Sequence, residues 1–188
     1  MQENQRSLDD IAVMDRFSRP LWLVHLILAI LVAGLPAWRL GSTIWDGVII
    51  EYASIIGNFA GIRTWFFDSS WFLQYYQILA TDQLANLIHT SYFFMNTFIT
   101  VLVLFLLSIE VAWLARELLQ LPPVWQLCVS LLTVIAPVWG MLVSSVMTFH
   151  FICLYLGFLG IRLLKSGRCI RPLGWILIIA SLGYPGNL

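Results

Sequence analysis

The chain has 188 residues, 60 % of them apolar and 11 % charged, with ten Lys plus Arg against ten Asp plus Glu and a formal net charge of zero. Its apolar residues are gathered in blocks of about eighteen or more, which excludes an ordinary soluble domain and points to an all-α membrane protein. The only basic cluster is the short Arg162–Arg171 stretch, which sets orientation more simply than it binds nucleic acid, so no nucleic-acid partner is expected.

Residues 1–20 read as a polar cytoplasmic tail and 21–188 as one membrane domain. The tail lacks the short basic start, short apolar core and small-residue cleavage site of a secretory signal, so the first span is expected to stay. That span runs from Leu21 to Trp38, about 27 Å at about 1.5 Å per residue. His25 falls in its inner half and reads as a hydrogen-bonded packing residue, and Pro36 is expected to kink the helix.

Residues 39–87 form an outer loop much longer than the joining of two spans requires. It carries Asp46, Glu51, Asp68 and Asp82, together with eight aromatic residues between Phe59 and Tyr76. Two interfacial amphipathic helices are predicted within it. In the first, Gly47–Ile56, the residues Val48, Ile49, Tyr52, Ala53 and Ile56 share one face and Glu51, Ser54 and Asn58 the other. Asp46 stands just before it as an N-cap, and Gly57-Asn58 stops it. The second follows a hinge at Gly61 and spans Trp65–Tyr76, capped by Asp68 or Ser69. Trp and Tyr favour the headgroup level, so an aromatic belt explains the rings; two amphipathic pieces on one side fit a roof over a lipid-facing cavity better.

The second span is predicted from His89 to about Ile109, with a helical tail through Leu119 that Pro122 and Pro123 interrupt. A third runs from Val124 to Val143, with Pro137 as a kink and the Thr133 hydroxyl placed to serve the freed carbonyl. After a turn at Ser144-Ser145, a fourth covers Thr148–Leu164. A fifth apolar segment starts near Pro172 and stops at Leu188 without a charged far side. At about 24 Å it is short for a crossing, so the chain is read as the N-terminal part of a longer protein. The alternative is a small complete protein with a re-entrant or interfacial last segment, which Pro185-Gly186 permits. The expected architecture is thus about four full transmembrane helices, a partial fifth and two interfacial helices.

With the N-terminus inside, Arg6, Arg16, Arg19, Arg116, Arg162, Lys165, Arg168 and Arg171 fall on the cytoplasmic side and only Arg39 and Arg63 outside. The first loop then faces a periplasm or an equivalent space, which for a bacterial inner membrane is the envelope side. Glu110, Arg116 and Glu117 read as a solvated face at the inner end of the second span. Cys128, Cys153 and Cys169 have neither disulfide nor metal spacing and read as packing residues. The same topology brings His89 and His150 to the outer ends of their spans, at the level of Asp46, where ionisable groups are candidates for a shared site.

A cytoplasmic tail, one span, and a long outer loop that opens with Trp45-Asp46-Gly47 and continues in interfacial helices together resemble the N-terminal part of the GT-C superfamily of integral membrane glycosyltransferases. The resemblance covers Leu21 to Leu164 and is architectural. It implies transfer of a sugar from a polyprenyl-phosphate donor to a glycan, lipid or protein acceptor, with Asp46 as general base. It further implies Arg63 on the donor phosphate, and Trp45, Trp65 and Trp71 against sugar or lipid, beside His89 and His150. The loop has no Asp-x-Asp or Glu-x-Asp pair to support a metal-dependent version, so a divalent metal stays open without support and no cofactor is assigned. The competing reading is a non-enzymatic membrane subunit whose aromatic loop docks a partner. A transporter fragment ranks third, since the spans lack charged or Gly-broken mid-membrane helices.

Overall fold

A computed structural model describes residues 22–34, 45–69, 71–135 and 145–182, and for residues 33, 45–47 and 145–147 the backbone alone. The polar tail, Pro36, Trp38, Arg39, the Pro137 kink, the Ser144 turn and the Pro185-Gly186 ending lie outside the described residues. Within them every element is helical: α1 (22–29), running into a π-helical turn at Ile30–Gly34, then α2 (Trp45–Ile55), α3 (Ala60–Asp68), α4 (Phe72–Leu87), α5 (Tyr92–Glu117), α6 (Pro123–Ile135), α7 (Ser145–Lys165) and α8 (Arg171–Leu182).

The long helices follow the apolar runs. Ser91 caps α5 by accepting a hydrogen bond from the Phe94 amide at 3.2 Å, satisfying one of the free N–H groups of the first turn. The helix then continues for 26 residues, about 39 Å at about 1.5 Å per residue. Pro122-Pro123 breaks the chain as expected. Pro123 becomes the first residue of α6, where its missing N–H matters least. Among the described residues, α5 and α7 are long and apolar enough to cross a membrane, while α1, α6 and α8 are shorter apolar helices.

Cross-links between helices fix their directions. The Thr100 and Thr148 hydroxyls lie 2.6 Å apart, Arg162 Nη1 donates to Glu110 Oε1 at 2.9 Å, and Lys165 Nζ donates to the Glu117 carbonyl at 3.1 Å. Residue numbers rise together along both helices, so α5 and α7 run parallel, with α6 between them in the sequence. His25 Nε2 lies 2.7 Å from Ser130 Oγ and ties α1 to α6, the packing role predicted for it. Ala29, Leu104 and Val134 are the fully packed centre of this four-helix region.

Helix α8 folds back on α7 with almost nothing between the two backbones. A Cβ at Gly174 would stand 2.9 Å from the Gly160 carbonyl oxygen, and one at Gly160 would stand 2.8 Å from that of Gly174. Such close approach is open only to glycine, and it adds backbone dispersion and Cα–H···O contact to the packing of Leu164 and Ile178 beside it.

Several expectations change. Among the described residues, the segment 39–87 holds three helices instead of two, because the stretch Trp65–Tyr76 is cut between Ser69 and Trp71. Ser69 N–H turns back to the Trp65 carbonyl and Trp71 N–H to that of Phe66, closing α3. Neither Asp68 nor Ser69 caps the next helix; Trp71 occupies that position without a side-chain cap bond. Helix α2 begins at Trp45, so Asp46 lies inside its first turn and not before it. Its buried residues are Ile50 and Ala53, while Val48, Ile49, Tyr52 and Ile56 are exposed. The stop is as predicted: Gly57 takes a φ of +64°, and the Asn58 and Gly57 amides close on the Ala53 and Ser54 carbonyls in a Schellman pair.

Glu110 is also corrected. It is 4 % exposed and belongs to the core, whereas Arg116 and Glu117 are exposed and paired with each other at 3.4 Å. Cys153 is buried as a packing thiol, but Cys128 and Cys169 are exposed. The Thr133 hydroxyl is spent on the Val129 carbonyl at 3.0 Å, one turn behind it.

Candidate functional site

The three loop helices form a module with its own core. Ile50 and Ala53 of α2, Ile62 and Phe66 of α3, Tyr75 and Ile78 of α4, and Tyr92 at the start of α5 pack into one cluster. Each large apolar side chain withdrawn from water here contributes about 1.5–3 kcal/mol. Polar links reinforce it. The Ser54 hydroxyl donates to Asp82 Oδ1, Asn86 Nδ2 donates to the other Asp82 oxygen at 3.1 Å, and Asn58 Oδ1 accepts from the Ala60 amide at 3.0 Å. Asp82 therefore joins α2 to α4, and the face of α2 predicted to be polar is partly consumed inside the protein.

Of the predicted site residues, Trp65 and Trp71 come together, with ring centroids 6.0 Å apart in an edge arrangement. Phe67 meets the rings of both Tyr75 and Tyr76, so the aromatic run is a packed seam between α3 and α4. Arg63 is exposed and lays its guanidinium over Phe67 at 5.3 Å. His89 is exposed in a left-handed conformation, φ 55°, at the end of α4. His150 is half-buried on α7. Asp46 and Trp45 are positioned only as backbone in the first turn of α2, and their side chains lie outside the described residues.

His150 lines a groove of about 370 Å³ on the α7–α8 pair, continued by Cys153, Leu154, Phe158, Ile161 and Ile178. Apart from the imidazole, toward the Thr148 end, and Ser181 on α8, the lining is apolar. Helix α2 packs against α7, the helix that forms one wall of this groove.

A second set of residues escaped the sequence reading. Gln74, Thr81, Asn96, Thr100 and Thr148 are all at most 3 % exposed. Gln74, Ile78, Thr81 and Ala85 make the buried stripe of α4, and Tyr92, Asn96 and Thr100 that of α5. The Thr100 hydrogen is committed to the Asn96 carbonyl at 2.8 Å, which makes Thr148 the donor in the Thr100–Thr148 bond. The available signal was the recurrence of amides and hydroxyls at helical spacing inside an otherwise apolar stretch.

At the opposite end of α5 the Glu110–Arg162 pair is backed by Trp113, whose ring lies 5.5 Å from the guanidinium carbon and 6.0 Å from Lys165 Nζ. No group of three His, Cys, Asp or Glu able to hold a metal exists among the described residues. Comparison with known families, curated proteins and solved structures returns no match to this chain.

Proposed function

We propose that this chain is an integral membrane glycosyltransferase unit of GT-C type, with its loop module outside the cytoplasm, moving a sugar from a polyprenyl-phosphate donor to an extracytoplasmic acceptor. The observation that carries this reading is the packing of α2, which bears Asp46 in its first turn, against α7, one wall of the apolar groove beneath His150. That arrangement suits a lipid tail held along α7 and a polar head turned toward the loop module. The exposed apolar residues Val48, Ile49, Tyr52 and Ile56 of α2 suit contact with the membrane surface.

In this reading the Asp46 carboxylate takes the proton from an acceptor hydroxyl as its oxygen bonds to the anomeric carbon. The bond from that carbon to the phosphate oxygen breaks, and polyprenyl phosphate leaves with the electron pair. Arg63 supplies the paired N–H donors that suit phosphate oxygens, and the Trp65–Trp71 pair supplies faces for sugar or lipid, with Trp45 and His89 nearby in the sequence of the module.

The test is Asp46→Asn in the intact protein, reconstituted with polyprenyl-phosphate-linked sugar and acceptor. Turnover is expected to fall about 10²–10⁴-fold, the span of a lost general base, with membrane insertion unchanged. Wild-type turnover in that variant would remove the base assignment, and a tolerant Asp46 is what the docking-subunit alternative requires.

A further inference from the structure

Where α5 and α7 end and α8 begins, basic side chains outnumber acidic ones. Two of the cations are compensated, Arg116 by Glu117 and Arg162 by the buried Glu110. Lys165 donates to the uncharged Glu117 carbonyl, and neither it, Arg168 nor Arg171 forms an ion pair among the described residues. All three are exposed, and residues 118–188 contain no Asp or Glu that could neutralise them. The chain also keeps them together. They follow one another at intervals of three residues, at most about 11 Å of chain each, and the turn that carries them is closed by Ser166 N–H on the Leu163 carbonyl and Ile170 N–H on that of Gly167. A Cβ at Gly174 would stand 3.1 Å from the Leu164 backbone nitrogen, so the Arg171 end of α8 lies beside the Lys165 end of α7.

The surface next to this cluster selects the kind of anion. Helix α8 turns Gly174 and Ile178 toward α7 and leaves Trp175, Ile176 and Ile179 exposed on its other side, at 58 %, 60 % and 66 %. A free phosphate ion gains nothing from such an apolar face, whereas a phospholipid sets its phosphate at the headgroup level and its chains against the helix below. A zwitterionic headgroup would also need an anion for its ammonium, and the exposed acid here, Glu117, is already engaged by Arg116. We infer that Lys165, Arg168 and Arg171 form a docking surface for the headgroup of an anionic phospholipid whose chains lie along Trp175, Ile176 and Ile179. Each cation beside a span raises the affinity for anionic lipid about fivefold at low salt, and a guanidinium offers phosphate two parallel N–H donors. The surface lies at the end of α5 away from the loop module, and it requires a membrane but no transferase activity.

The experiment places the intact protein in phosphatidylcholine nanodiscs containing increasing fractions of either phosphatidylglycerol or phosphatidylcholine brominated near the glycerol. Bromine quenches nearby indoles, and the part of the quenching that Trp175→Phe removes reports on this face. Half-quenching of that part is expected at about tenfold lower fraction of the brominated phosphatidylglycerol. Arg168→Gln and Arg171→Gln each reduce the preference about threefold, because salt screens exposed charges, and together they abolish it. Arg168→Lys combined with Arg171→Lys retains it, and millimolar inorganic phosphate leaves it unchanged. If the double glutamine variant misfolds, the two single variants carry the same comparison. Equal quenching by both lipids in wild type, the mark of ordinary boundary lipid, overturns the inference. A preference that survives the glutamine variants, or that inorganic phosphate displaces, overturns it as well.

Discussion

The Glu110–Arg162 pair makes an asymmetric prediction. Glu110 has a side chain only 5 % exposed, whereas that of Arg162 is 43 % exposed and also rests on Trp113. Arg162→Met strands a buried carboxylate whose Oε2 already lacks a partner, and the expected loss is about 3–5 kcal/mol, more than a hundredfold in the folded-to-unfolded ratio. Glu110→Gln leaves a guanidinium that keeps its ring contact and access to water, so the loss is about 1 kcal/mol. The double variant recovers most of the Arg162→Met loss, because the neutral amide no longer carries an unpaired charge. The buried Cys153 thiol serves as reporter in a Cys128→Ser, Cys169→Ser background, its labelling by a maleimide followed through an SDS titration. A Glu110→Gln loss equal to or above that of Arg162→Met would refute the argument from burial.

Gly174→Ala places a methyl group 2.9 Å from the Gly160 carbonyl oxygen and is expected to lose about 1–3 kcal/mol by overpacking. Gly167→Ala, where a Cβ meets nothing within 4 Å, is the neutral control in the same unfolding assay; equal effects would show that α7 and α8 do not approach as described. At His89, with φ 55°, His89→Gly is expected to be more stable than His89→Ala by about 1 kcal/mol, because both lose the ring and only alanine retains the left-handed backbone penalty. Indistinguishable midpoints for those two variants would rule out that conformation.

The helical segments were legible where apolar runs met strong punctuation. The Pro122-Pro123 break, the Gly57-Asn58 stop and the single helix continuing past Ile109 all follow from local chemistry. The cut at Ser69–Trp71 was hidden because Trp65-Phe66-Phe67 and Trp71-Phe72 supply one continuous aromatic signal on both sides of it. Glu110 looked solvated because its partner stands 52 residues away, and no spacing rule links them. Gln74 and Asn96 were invisible for a related reason: a helical period tells which residues share a face, but not which face another helix will cover. For Asp46 the sequence supplied the helix and its first turn within two residues, which is the precision local signals allow.

The contact of α7 with α8 through bare backbone has a mechanical consequence. With the backbones of Gly160 and Gly174 in close approach, leaving no room even for a methyl group, and with α7 tied to α5 at Thr148 and again at Arg162, these three helices move as one panel. Deformation must then fall outside that panel, at the margin where the chain passes from α4 to α5.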